Sequence, residues 1–496
     1  MDELKRLVRL VVERSNKSSP LINQQDESSL ETKLFKLIKQ GEVERDEDAA
    51  LALYGKESLS ATYRMLKSRL RKKLFNQLHF LDFPTSKFKA HSVENYQCNV
   101  SMLEVQCLLI ADEFQIADKL INQVIAMAKA DGLTSVMVRA LEQKQVVNSA
   151  IYSKRAYKEA ENELLKYYEL LACEREATKL FQLTSLELKS GVSNRNKFLP
   201  ELLEVISELN VLWEKSQSSR IFDLYHILSI QYLELCGNYK AISDAVEKAE
   251  KLLNEGRIHS NWFNHRYNAF IRIYALLRTR QYETGISLAQ EYLLLFEPHT
   301  VNWFAYMENY LLLALHSKNY ELASELMQQS LGNQHIHTIQ NAAKERWELY
   351  RKYLLMMHTI MPSINVKNLP QGVLTELVML PKDKAGFNLS LLVLDTIKSF
   401  SIQSIDDYES QAERMRKYIS KYLRGEKSER PRLLLRLLLL VIKEGLHPIR
   451  SKEKGQKLYD KLSQMAPPGD AFAEVEIIPY EHLWELVLKV LEKRVS

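Results

Sequence analysis

Through most of the chain, apolar residues return at every third or fourth position, the spacing that lines one face of an α-helix. The stretch "NWFAYMENYLLLALHS" is one such run, and "KNYELASEL" opens the next. Between them Lys318-Asn319 precedes Tyr320, just as Gly237-Asn238 precedes Tyr239. Such pairs suit a tight turn between antiparallel helices. The same arrangement recurs in "DEFQIADKL" at Phe114, "RAYKEAENEL" at Tyr157, "NKFLPELLEV" at Phe198 and "RQYETGISLA" at Tyr282. Successive anchors are 43, 41, 41, 43 and 38 residues apart, a period near 41 over six units.

Aligning the units on the aromatic exposes shared positions. Seven residues on stand Ile121, Leu164, Val205, Val246, Ala289 and Met327, all apolar. Nine residues before stand Val105, Asn148, Lys189, Ile230, Ile273 and Leu311, a row broken only in the second and third units. Three residues on, Ala117, Ala160 and Ala323 allow close approach of a partner helix, whereas Ile242 and Gly285 depart from alanine. These shared residues are expected to build the hairpins, with function sought where the units differ.

The pattern of turn, aromatic, two variable residues and alanine, followed by an amphipathic helix, resembles the tetratricopeptide repeat, over about Tyr96 to Gly332. Pro298 stands near where that family often ends its second helix. The period exceeds the family's 34 residues by roughly one helical turn per helix, which points to a long-helix variant. An armadillo or HEAT array shares a period of this size without the aromatic at the turn. The resemblance implies an all-α fold: a right-handed superhelical array of antiparallel helix pairs, an α-solenoid, with helical N- and C-terminal flanking regions. It also implies a concave face, lined by first helices, that grips a peptide or a partner's helix.

Composition agrees with an all-α chain, since 496 residues contain only 14 Gly and 12 Pro. The expected organisation is an N-terminal helical region with a basic helix over 1–90, six hairpins over 91–345, and a C-terminal helical region or cap over 346–496. Within the last, Pro362, Pro370 and Pro381 interrupt the periodicity, helices follow near Leu389–Phe400, Asp407–Leu423 and Arg432–Glu444, and Pro479 starts one that buries Leu483, Trp484, Val487 and Leu491. This region either covers the array's last apolar face or forms a separate binding domain.

Charge is nearly balanced, with 68 Lys and Arg against 63 Asp and Glu, so a polyanion partner would have to be read from a local cluster. One exists. After Asp46–Asp48 and the turn residue Gly55, a helix over 58–78, capped by Ser58 or Ser60, carries Arg64, Lys67, Arg69, Arg71, Lys72 and Lys73 with no acid, and Tyr63, Leu66, Leu70, Leu74 and Leu78 as its buried stripe. The arrangement resembles a helix-turn-helix, although the connection is longer than the usual tight turn. The six cations are candidate contacts for nucleic acid or an acidic partner, and a solvated basic face is the plain alternative.

Little points to catalysis. The chain has no P-loop, no G-x-G-x-x-G after a strand, no H-E-x-x-H and no G-x-S-x-G, and His335 and His337 form an H-x-H pair without a neighbouring cysteine. No cofactor, metal or enzymatic activity is expected. Cys98, Cys107, Cys173 and Cys236 lack Cys-x-x-Cys spacing and suit a reducing compartment. The segment "MDELKRLVRLVVER" reads as an amphipathic helix rather than a signal peptide, and Arg432–Ile442 is about half a bilayer span with Arg436 inside it, so a cytoplasmic protein without membrane contact is expected.

The chain has 24 tyrosines, several on first helices (Tyr225, Tyr232, Tyr267, Tyr274, Tyr306, Tyr310), where they supply packing or groove-lining surface. Ten residues before the anchor stand Glu104, Ser229, Arg272 and Tyr310, and eight before stand Gln106, Gln231 and Tyr274. Glu104, Gln106, Gln231, Arg272, Tyr274 and Tyr310 are the candidate partner-binding residues. The expected function is a non-enzymatic scaffold or regulatory adaptor that binds a partner protein or peptide; the alternative is a nucleic-acid-associated, transcription-type regulator using the helix over 58–78.

Overall fold

Two residues before an anchor, the backbone repeatedly turns into the left-handed region: Asp112 (φ 57°), Gly237 (φ 68°), Arg280 (φ 60°) and Lys318 (φ 62°). The next residue's N–H then reaches back to a carbonyl of the preceding helix, in Glu113 to Leu108 (2.9 Å), Asn238 to Leu233 (2.8 Å), Gln281 to Leu276 (2.9 Å) and Asn319 to Ala314 (2.9 Å). This closes the first helix in a Schellman-type turn and satisfies a carbonyl that the helix end leaves open. Phe114, Tyr239, Tyr282 and Tyr320 follow as the first residues of their helices. Asn238 and Asn319 add side-chain caps to Ala241 N (3.2 Å) and Leu322 N (3.2 Å).

The computed structural model describes residues 3, 5–8, 21–23, 25–26, 28–55, 60–81, 83, 90–189, 192–366, 369–374, 377, 387–401, 406–423, 428–465 and 476–495. Among them the regular structure is helical, without a strand. The chain divides into two compact units, Met1–Glu176 and Ala177–Ser496.

The first unit contains α1 (Leu30–Gln40), α2 (Asp46–Tyr54), α3 (Ala61–Gln77), α4 (Ala90–Ile110), α5 (Phe114–Ala130), α6 (Thr134–Ala150) and the start of α7 (Lys154–Leu188). Helix α1 packs on α2 and α3 around Leu34, Ala49, Ala50, Tyr63, Leu66 and Leu70. Helices α4, α5 and α6 pack on one another.

In the second unit α8 (Val192–Ser216), α9 (Ser219–Leu235), α10 (Tyr239–Asn254), α11 (His265–Arg278), α12 (Tyr282–Tyr292), α13 (Val301–His316), α14 (Tyr320–Leu331) and α15 (Asn341–Ile360) follow in order, each packed on its neighbour in sequence. Then come α16 (Phe387–Ser401), α17 (Asp406–Tyr422), α18 (Glu429–Lys443), α19 (Pro448–Gln464) and α20 (Tyr480–Val495).

The shared positions are interior. Ile121, Val246, Ala289 and Met327 are fully buried, Leu164 nearly so, and Val205 is half-buried. The residues that depart from alanine have a packing reason. Gly285 on α12 faces α13, where an added Cβ would stand 2.7 Å from Leu313 Cδ2. In the preceding unit the large residue is instead on the second helix, as Ile242 shares a buried cluster with Ala275 of α11. A large residue meeting a small one keeps the interface filled in both cases.

Two anchors behave otherwise. Tyr157 does not open a helix, because the left-handed residue is Tyr152 and α7 already begins at Lys154. Phe198 lies within α8, which even accommodates Pro200. Helix α7 runs for 35 residues, so the hairpin rhythm lapses there.

The C-terminal helices join the same hydrophobic core as α11 to α15, which runs without a break from Ala269 to Leu491. Helix α20 packs on α15, α16, α18 and α19, and buries Leu483, Trp484, Val487 and Leu491 as its sequence predicts. A charged knot lies under it. The Arg430 guanidinium is 1% exposed and donates to Glu476 (2.6 and 2.9 Å), Glu481 (2.8 Å) and the carbonyl of Leu462 (2.8 Å). From the α11–α12 turn Arg280 also reaches Glu481 (3.1 Å), and from the α13–α14 turn Lys318 pairs with Glu485 (2.8 Å). The buried His316 contacts the Glu476 carbonyl (2.5 Å), and burial pushes its imidazole pKa down to about 4.

Candidate functional site

The predicted groove residues take three different environments. Tyr310 is buried in the core of α13. Arg272 is held by Glu250 (2.6 Å) and the Tyr292 hydroxyl (3.1 Å), which itself donates to Glu250 (3.1 Å). Tyr274 packs edge-on against Tyr239 at 5.6 Å, with Arg278 over both rings, and burial raises its phenol. Gln231 is half-buried on α9. Of the six, Glu104 and Gln106 on α4 are exposed.

These two flank a feature that the periodicity of α4 contains but that the unit alignment hides. One face of α4 buries Val93, Cys98, Met102, Val105 and Leu108. Tyr96, Val100, Leu103, Cys107 and Ile110 form a second apolar stripe, spaced three and four apart. Its C-terminal part stays open: Ile110 is 84% exposed, Leu103 is 47% exposed, and Cys107 is an exposed free thiol. Tyr96 and Val100 are half-buried, with the Tyr96 hydroxyl donating to the Leu78 carbonyl (3.0 Å) and its ring edge-on to Phe83. The signal was a helix apolar on two faces, which demands two partners.

The equivalent positions on α13 show what the second stripe is for. Counting back from the anchor, Leu103, Cys107 and Ile110 correspond to Asn309, Leu313 and His316, all buried. Leu313 packs onto Gly285 of the preceding unit's second helix. The outer stripe of α4, from Leu103 to Ile110, is thus a stacking face of the same kind, with no hairpin stacked upon it among the described residues.

On α3 the structure corrects the expected stripe. Tyr63, Leu66 and Leu70 are buried, whereas Leu74 and Leu78 are exposed. The reason is length: α1 and α2 have 11 and 9 residues against 17 in α3, so they cover only its first turns. Ser60 caps the helix through Tyr63 N (3.2 Å); Ser58 lies outside the described residues. The cations separate into two groups. Lys67 pairs with Asp46 (2.7 Å), and Arg69 (3.2 Å) and Lys73 (4.0 Å) converge on Glu31. Hydrogen bonds from Lys67 and Tyr63 hold the Asp46 carboxyl below the usual range, and burial together with Asp46 pushes the Tyr63 hydroxyl up to about 12. Arg64, Arg71 and Lys72 are exposed and make no ion pair among the described residues.

His335 and His337 lie in a short 3-10 turn, Gln334–Thr338, and no group of three or more His, Cys, Asp or Glu side chains among the described residues is arranged to hold a metal. Arg436 points to solvent from α18, and among the described residues no helix is long and apolar enough to cross a membrane. No family model, curated protein or solved structure matches this chain.

Proposed function

We propose that this protein is a non-enzymatic, cytoplasmic scaffold or regulatory adaptor that binds a partner protein through helix-on-helix contacts. The hairpins would form a long-helix, tetratricopeptide-like array of right-handed superhelical sense, with a period near 41 residues where the turns are regular. The observation that carries the reading is the outer stripe of α4, an apolar stacking face left in water and rimmed by Glu104 and Gln106. Exposed apolar surface with a polar rim is the usual mark of a protein-binding site. The stacked pair of Gly285 and Leu313 supports, as the occupant, an amphipathic helix with a small residue opposite Cys107.

A photo-crosslinking residue at Ile110 tests this in the native cell. The expected result is one discrete protein adduct, lost with Leu103→Glu and absent when the crosslinker is placed at Lys158. Adducts with nucleic acid alone, or none at either position, would overturn the proposal.

A further inference from the structure

The solvent side of α3 is neither a plain charged face nor a buried one. Opposite the buried line of Tyr63, Leu66 and Leu70, helical spacing gathers Arg64, Met65, Ser68, Arg71, Lys72 and Phe75. Arg64 and Arg71 form one edge, Met65 and Lys72 the other, and Ser68 and Phe75 run between them. Met65 is 62% exposed and Phe75 55% exposed, with the Arg71 guanidinium 5.4 Å from the Phe75 ring centre. Leu78 and Phe80, also exposed, continue the apolar surface into the 3-10 turn Leu78–Phe80.

The sorting of charges is informative. The three cations beside the fold's own acids pair with Asp46 and Glu31, while the three on the outer face have no counter-charge among the described residues. An occupant of this face must therefore bring both acids and apolar side chains.

We infer that this face of α3, from Arg64 to Phe75, is a docking surface for an acidic amphipathic helix of a partner protein, in addition to the Leu103–Ile110 stripe on α4. Carboxylates of that helix pair with Arg64, Arg71 and Lys72, while its apolar residues cover Met65 and Phe75. Methionine adapts to varied apolar surfaces, and an arginine already resting on a ring offers a flat apolar and cationic platform. Duplex nucleic acid matches less of the face. Three phosphate contacts would give a salt slope of only about −2.7, and the central ring and thioether would remain wet.

The test uses the full chain and a fluorescein-labelled helical peptide of about 18 residues, with a leucine stripe flanked by glutamates. Its control has the same stripe flanked by lysines. Fluorescence anisotropy at about 0.15 M salt is expected to show saturable binding of the acidic peptide alone. Arg71→Glu with Lys72→Glu should weaken it at least about tenfold, and Phe75→Ser at least about threefold. Lys158→Glu, on α7, should leave it unchanged. All these residues are at the surface, so circular dichroism should show the wild-type helix content. Equal binding of the lysine peptide, insensitivity to the α3 substitutions, or no binding would overturn the inference. So would binding of a short DNA duplex or of phosphatidylserine-doped vesicles in preference to the peptide.

Discussion

Helices α4 and α13 occupy the same place in their hairpins, each ending two residues before a left-handed turn residue, yet their outer faces have opposite fates. On α13 the stripe Asn309, Leu313 and His316 is buried beneath Gly285, Tyr282 and the carbonyl of Glu476. On α4 the corresponding Leu103, Cys107 and Ile110 meet solvent. The lesson runs against intuition, because the covered face includes an asparagine and a histidine while the open face is the more apolar. Burial within the chain is secured by shape and hydrogen bonding; the exposed stripe keeps the apolar composition that the proposed partner contact requires.

The largest expected effect probes what closes the covered side. Arg430→Met would leave the Glu476 and Glu481 carboxylates buried with a lost partner, at a cost of about 3–5 kcal/mol. Hydrogen-exchange protection across Tyr480–Val495 should fall by roughly two to four orders of magnitude. Next comes the matched pair of substitutions. Leu313→Ala should destabilise its unit by about 2–5 kcal/mol through the cavity it leaves, whereas Cys107→Ala at the equivalent position should change stability by less than about 0.5 kcal/mol. Urea denaturation of the two variants measures the contrast, and equal losses would erase the distinction between the faces.

A third prediction concerns pH. Because burial lowers the folded pKa of His316 to about 4, the unfolded chain binds the extra proton between pH about 6.5 and about 4. The contribution is complete above the unfolded pKa and is lost as pH falls through that window, by about 3 kcal/mol at most. Other groups face the ring: Glu481 and Arg280 lie near, and burial also lowers His482. His316→Gln should flatten the pH dependence over the same window, read from urea midpoints at successive pH values.

Much of the fold was legible because turns and packing positions recur. The aromatic anchors at Phe114, Tyr239, Tyr282 and Tyr320 open helices as their spacing implies, and the helices at Phe387–Ser401, Asp406–Tyr422 and Glu429–Lys443 lie within a few residues of expectation. Helix α19 was missed for a physical reason. The first half of its inward face is Ser451 and Gly455, and a Cβ on Gly455 would stand 3.0 Å from the Trp484 ring, so large apolar residues mark that face only from Leu458 to Leu462. Tyr157 and Phe198 misled because aromatic and apolar spacing inside a long helix imitates a hairpin start.

The candidate site was less legible. Rows taken relative to the anchor located Glu104 and Gln106 on the open face, but the same rows placed Tyr310 in the core and Arg272 in an ion pair. Equivalent positions share geometry, not exposure, because exposure depends on what the chain stacks against each unit. The basic helix illustrates the point from the other side, since one acid from α1 and one from α2, distant in sequence, pair with three of its six cations.

The central claim is that the outer stripe of α4 is covered by a partner. Cys107 sits in the middle of it, while Cys236 is an exposed thiol elsewhere and Cys98 and Cys173 are buried. Thiol-alkylation rates by mass spectrometry, on the purified protein and in intact cells, read the stripe directly. Purified protein should modify rapidly at Cys107 and Cys236 and slowly at the other two. In cells Cys107 should be protected at least about tenfold while Cys236 stays reactive. Equal reactivity of Cys107 in both settings would contradict the account.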